Sequence, residues 1–99
     1  MTQKKKQYGK ELRVCDVSIG DLLEIRSDTL NFLNVKEHDF NHQTVKLMMW
    51  SSRKEANYID ELLLYTGRKR IGSFVYHRFL RSDEVLYTRG RNFRYLKKV

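Results

Sequence analysis

Residues 74 to 79 read Phe-Val-Tyr-His-Arg-Phe, and residues 85 to 89 read Val-Leu-Tyr-Thr-Arg. β-Branched and aromatic side chains dominate both stretches, the types that fit a pleated, half-buried surface. In an extended chain successive side chains point to opposite faces. Phe74, Tyr76 and Arg78 then share one face, and Val75, His77 and Phe79 the other. Proline occurs nowhere in the chain, so Gly, Asn, Asp and Ser must make the turns between such runs.

The same pattern recurs upstream. Val17 to Gly20 and Asp21 lead as a turn into Leu22-Leu23-Glu24-Ile25-Arg26. Ser27-Asp28 is a polar break, and Leu30, Phe32, Leu33 and Val35 suggest a second, imperfectly alternating strand. Glu37 to Gln43 reads as a polar loop. Thr44 to Trp50 reads as a third strand, with Val45, Leu47 and Met49 on one face. Residues 51 to 60 are ambiguous. Ser52 and Glu55 have capping-box spacing, and Ala56, Ile59, Leu62 and Leu63 fall at helical spacing. A short helical or irregular segment around 52–60, followed by a strand near 61 to 66, is favoured. The reason is a short echo: Leu64-Tyr65-Thr66-Gly67-Arg68 is repeated approximately by Leu86-Tyr87-Thr88-Arg89-Gly90-Arg91.

Several short strands, Gly-containing turns and little strong helix imply a mainly β domain, a small SH3-like or OB-like barrel. Residues 1–10, with Lys4-Lys5-Lys6, read as a flexible basic arm, and 11–99 as a single small β-barrel domain. A chain of 99 residues makes at most one domain with a modest core. Cys15 has no partner cysteine, which suits a reducing compartment, and is expected to be a small, partly buried residue. No signal peptide and no membrane-spanning apolar run is expected, which suggests a cytoplasmic protein.

Charge is unevenly distributed. Residues 1 to 64 hold ten Lys/Arg and ten Asp/Glu, whereas residues 65 to 99 hold ten Lys/Arg against Asp83 and Glu84 alone. The net charge of +8 therefore belongs to the last 35 residues. Suppose residues 61 to 98 form an antiparallel meander of four strands. Its first turn, Gly67 to Gly72, and its third, Arg89 to Asn92, would then lie at the same end. Arg68, Lys69, Arg70, Arg89, Arg91 and Arg94 would gather on one rim, with Tyr87 and Tyr95 near it. Guanidinium groups contact phosphates bidentately, and aromatic faces stack unpaired bases. Phe74, Phe79 and Phe93 are expected in the core, and the competing assignment makes the arginines solvated surface.

The order Ile19-Gly20-Asp21-Leu22-Leu23, Leu64-Tyr65-Thr66-Gly67, Phe79, and Tyr87-Thr88-Arg89-Gly90-Arg91 with Phe93 to Leu96 resembles small SH3-like barrel proteins of tailed bacteriophages. In them a Gly-Asp pair opens the first strand, and a strand ending in Tyr-x-Gly precedes a basic hairpin. The resemblance covers most of residues 17 to 96. It implies a barrel and a phage origin, hence host cytoplasm, and supplies no catalytic residue.

Enzymatic chemistry has little support. No nucleophile stands at a recognisable spacing from a base, and neither a Walker loop nor a dinucleotide fingerprint is present. His38 and His42 share a face only on a helix, and the segment reads as a turn, so no metal is assigned. No cofactor is expected. The expected partner is nucleic acid, bound through the basic rim. The alternatives are an acidic host protein whose nucleic-acid site a phage factor blocks, or a structural place in a nucleoprotein assembly.

Overall fold

The computed structural model describes residues 11–26, 31–40, 42–53 and 62–99. The proposed N-terminal arm and most of the 52–60 segment lie outside the described residues. Seven strands follow in chain order: β1 (Leu22–Ile25), β2 (Phe32–Phe40), β3 (Gln43–Ser51), β4 (Leu63–Ile71), β5 (Phe74–Arg81), β6 (Glu84–Thr88) and β7 (Leu96–Lys98). Short 3-10 turns at Val14–Asp16 and Gly90–Tyr95 complete the described secondary structure. The strands form one sheet in the order β2-β3-β6-β5-β4-β1-β7. The fold is mainly β and barrel-like, with β2 and β7 as the edges of a sheet that does not close.

Both faces of this sheet are used. On the inner face Leu23, Leu33, Met48, Leu63, Tyr65, Phe79, Leu86, Phe93 and Leu96 form the main core. On the outer face Val45, Ile71, Tyr76 and Tyr87 form a second cluster, onto which Phe40 and Leu47 pack. Alternation along β5 explains the division: Phe79 and His77 face the main core, and Tyr76 faces the second cluster. Phe93 is the one core aromatic outside the strands. It enters from the Gly90–Tyr95 turn and packs its ring 5.8, 4.9 and 5.7 Å from those of Tyr65, His77 and Phe79. The chain then continues into β7, which pairs with β1.

Four local expectations are corrected. Glu37 to Phe40 is strand, not loop: these residues pair with Gln43 to Lys46 in a long hairpin. Glu37, His38 and Asp39 are exposed whichever way they point, so no apolar period marks the strand. Gly67 does not begin a turn. It lies inside β4 at a register shift beside Thr66, with φ at +116°. A bulge there needs a backbone that residues with a Cβ rarely adopt, and an added Cβ would also press on Ile19 at 3.2 Å. The turn falls instead at Gly72-Ser73, where Gly72 has φ +63°. The meander has three strands rather than four, because the chain beyond Thr88 enters a 3-10 turn and β7 pairs with β1, not β6. Finally, Cys15 is exposed. The Val14–Asp16 turn packs Val14 toward the core and leaves Cys15 outside.

Phe93 and Phe74 should behave oppositely on truncation. Phe93→Ala empties a fully buried site and is expected to lower stability by about 3–5 kcal/mol. Phe74→Ala, at a position 48% exposed, should change stability by about 0.5 kcal/mol. Urea denaturation of both variants, followed by far-ultraviolet circular dichroism, checks the difference.

Candidate nucleic-acid interface

The register of β4, β5 and β6 brings most of the expected basic residues to one end of the sheet, Lys69 and Arg89 on the Tyr76 face and Arg68 and Arg70 on the His77 face. Arg68 pairs with His77, Lys69 with Tyr76 and Arg70 with Val75. On the other side of β5, His77 pairs with Thr88, so Arg89 follows immediately at the same end. Its guanidinium lies 4.7 Å from the Phe74 ring centroid and 5.5 Å from that of Tyr76. The Arg68–Arg70 backbone and Arg89 thus flank the N-terminal half of β5, two strand spacings or roughly 9–10 Å apart. Arg91 follows one residue beyond Gly90.

The opposite end of β6 collects the acid. Asp83 and Glu84, the two acidic residues of the last 35, lie at the β5–β6 turn. Glu84 binds Lys46 at 2.5 Å and Arg81 at 2.6 Å. The hydrogen bond from Lys46, followed by that from Arg81, holds the Glu84 carboxyl below its usual range. Elsewhere Lys97 pairs with Glu24 and Lys98 with Asp21. Among the described residues no ion pair involves Arg68, Lys69, Arg70, Arg89 or Arg91. The charge imbalance read from the sequence is therefore concentrated at one end of the sheet.

Arg94 is placed differently. It pairs with Glu11 at 3.4 Å and lies 5.8 Å from the centroid of the Tyr95 ring. Tyr95 is stacked on Trp50, with centroids 5.2 Å apart and planes at 21°. Of the two tyrosines expected near the rim, Tyr95 is half-buried in this stack, and Tyr87 is buried in the second cluster with its ring committed to packing. Phe74, expected in the core, is instead exposed beneath Arg89: it stands on the outer face at the N-terminal end of β5, where no element covers it among the described residues.

Nothing in the sequence marks the groove that adjoins the basic end. β3 and β6 run parallel, but only Lys46–Leu86 and Leu47–Tyr87 are paired. Beyond these pairs the strands part. Thr88 spans the beginning of the gap by donating its hydroxyl to the Met48 carbonyl at 2.9 Å, and Asn92 Nδ2 donates to Thr88 Oγ1 at 2.8 Å. The groove, about 250 Å³, is lined by Leu47 to Trp50 on one side and by Tyr76, Thr88, Arg89, Arg91 and Asn92 on the other. A parallel contact between residues 40 positions apart has no local sequence signal, so Trp50, Met49, Tyr76 and Asn92 had no reason to be grouped.

One buried polar pair lies directly beneath this end. The Tyr65 hydroxyl is 2.8 Å from His77 Nδ1, in contact with the Phe93 ring on the other side. Burial pushes the His77 pKa below 6.5, and the nearby Arg68 guanidinium pushes it the same way. A neutral imidazole accepts the hydrogen bond that the Tyr65 hydroxyl donates to Nδ1. His38 sits on β2 with its ring 4.5 Å from that of Phe40, while Asp39 accepts a hydrogen bond from Thr44 at 2.6 Å.

Comparison with protein-family models, with curated proteins and with solved structures finds no match. Among the described residues no helix is long and apolar enough to cross a membrane.

The His77 environment sets a pH dependence. Because the folded pKa is depressed, the unfolded chain takes up the proton first as pH falls. Stability should be full above about 6.5 and decline below it until the folded imidazole also protonates. Urea midpoints measured from pH about 8 to about 5 should fall, and His77→Gln should flatten that part of the profile.

Proposed function

We propose that the protein is a non-enzymatic binding module whose basic end contacts nucleic-acid phosphates. The observation that carries this is the placement of Arg68, Lys69, Arg70, Arg89 and Arg91 at one end of the sheet, without ion pairs among the described residues, while Asp83 and Glu84 lie at the other. Five like charges so placed repel one another, and salt screens that repulsion over only about 8–10 Å. A polyanion relieves it. The guanidinium of Arg89 is also pre-positioned over two rings, which reduces the ordering cost of a phosphate contact.

The barrel reading is of the SH3-like rather than the OB-like type. The order β7-β1-β4-β5-β6, with a 3-10 turn before the last strand, supports it. The resemblance noted above, and it alone, adds the reading of a phage-type protein acting in the host cytoplasm. The second reading, capture of an acidic host protein, draws on the same cations.

Fluorescence anisotropy with labelled oligonucleotides at several salt concentrations tests the first reading. Five phosphate contacts predict a log–log salt slope of about −4.5 on duplex and about −3.5 on a single strand. Arg68→Ala combined with Arg70→Ala should make the slope shallower by about 1.4–1.8. Absence of binding at low salt, together with a protein partner retained after nuclease treatment in a pull-down from host cells, would transfer support to the second reading.

A further inference from the structure

We propose that the groove between the parted ends of β3 and β6 receives an unpaired nucleobase, making the protein selective for single-stranded nucleic acid. This rests on the nucleic-acid reading above and specifies which form is bound.

The groove has the mixed character that a base requires. Leu47 and Met49 offer apolar surface, and Trp50 and Tyr76 bring aromatic rings. Base–aromatic stacking tolerates any sequence because every base has a π-face. Polar groups converge on the same space. Asn92 and Thr88 line it, and Asn92 uses its amide nitrogen on Thr88, which leaves the amide oxygen as an acceptor for a base edge. The indole N–H of Trp50 is buried and has no hydrogen-bond partner among the described residues, an uncommon arrangement in folded proteins.

Charge fixes the occupant as part of an anionic strand. Arg89 and Arg91 line the groove, and Arg89 also contacts Phe74 and Tyr76 at the basic end. A strand whose phosphates cross Lys69 and Arg89, both on the Tyr76 face of the sheet, can therefore turn a base toward Trp50 without leaving the cationic surface. A duplex is disfavoured, because its bases are paired and stacked, and extruding one breaks those contacts. At about 250 Å³ the space lies below the range usual for drug-sized ligands, which suits a single planar ring system better than a larger molecule.

Trp50 is the only tryptophan in the chain, so its fluorescence reports on the groove directly. The experiment titrates the full chain with oligothymidylate about ten nucleotides long, with a duplex of the same length, and with polyglutamate as a plain polyanion. The expected result is quenching of Trp50 by the single strand alone, and single-strand affinity at least about tenfold above duplex affinity by anisotropy. Met49→Glu, at a position 46% exposed and thus compatible with folding, should reduce that preference to about onefold. Its added charge weakens both nucleic acids, but its side chain blocks only the groove. Equal binding of single strand and duplex with unchanged Trp50 fluorescence would overturn the groove proposal and leave the basic end intact as a phosphate site. Quenching by polyglutamate equal to that by the oligonucleotide would also overturn it. No binding of either nucleic acid at low salt would overturn both readings.

Discussion

The packing of Phe93 against Tyr65, His77 and Phe79 is the contact on which the rest of the structure depends. Those three residues come from β4 and β5, the central hairpin, and Phe93 comes from the last turn of the chain. Its burial fixes the Gly90–Tyr95 segment under the sheet. Gly90 is part of the same arrangement: an added Cβ would lie 2.9 Å from Val14 and 3.3 Å from His77, so the turn approaches more closely than a larger residue permits. Once the turn is fixed, the residues on either side of Phe93 have no freedom to choose their neighbours. Arg89 and Arg91 are held at the β5 end, and Arg94 and Tyr95 beside Trp50.

This explains how one short segment serves both stability and binding. Alternate features of Arg89 to Leu96 face in different directions. Phe93 and Leu96 complete the main core, while Arg89, Arg91 and Asn92 line the groove. The Glu84 ion pairs at the other end of β6 have the complementary effect. They hold the acidic residues of this part of the chain away from the basic end, with Lys46 drawn from β3 to do so. The electrostatic polarity of the sheet therefore follows from topology, not merely from composition.

The parts of this arrangement that follow a local period were legible in the sequence. Alternation located β1, β3, β5 and β6 and assigned the faces of Phe79 and Tyr76 correctly. The excess of positive charge after residue 64 was plain, and the meander argument placed Arg68 to Arg70 and Arg89 at one end even though its turns were misplaced. What could not be read depends on distant pairing or on unusual backbone. Glu37 to Phe40 looks like a loop because the strand has no apolar face there. Gly67 and Gly90 both look like turn residues, yet one makes a bulge and the other opens a 3-10 turn. Tyr87 and Tyr95 carry the same side chain between basic residues, and only the sheet decides that the first is packed in a cluster and the second stacked on Trp50. The parallel meeting of β3 and β6, which creates the groove, leaves no mark in either segment.

The most direct test of the account is a residue-by-residue map of binding. Two-dimensional amide NMR spectra of the isotopically labelled chain, recorded with and without a short single-stranded oligonucleotide at low salt, should show shifts confined to Arg68–Arg70, Phe74–Tyr76, Leu47–Trp50 and Arg89–Asn92. The Lys46, Arg81 and Glu84 amides, at the far end of β6, should stay in place. Shifts centred on the β2 edge or on the β5–β6 turn, with the basic end unmoved, would contradict it.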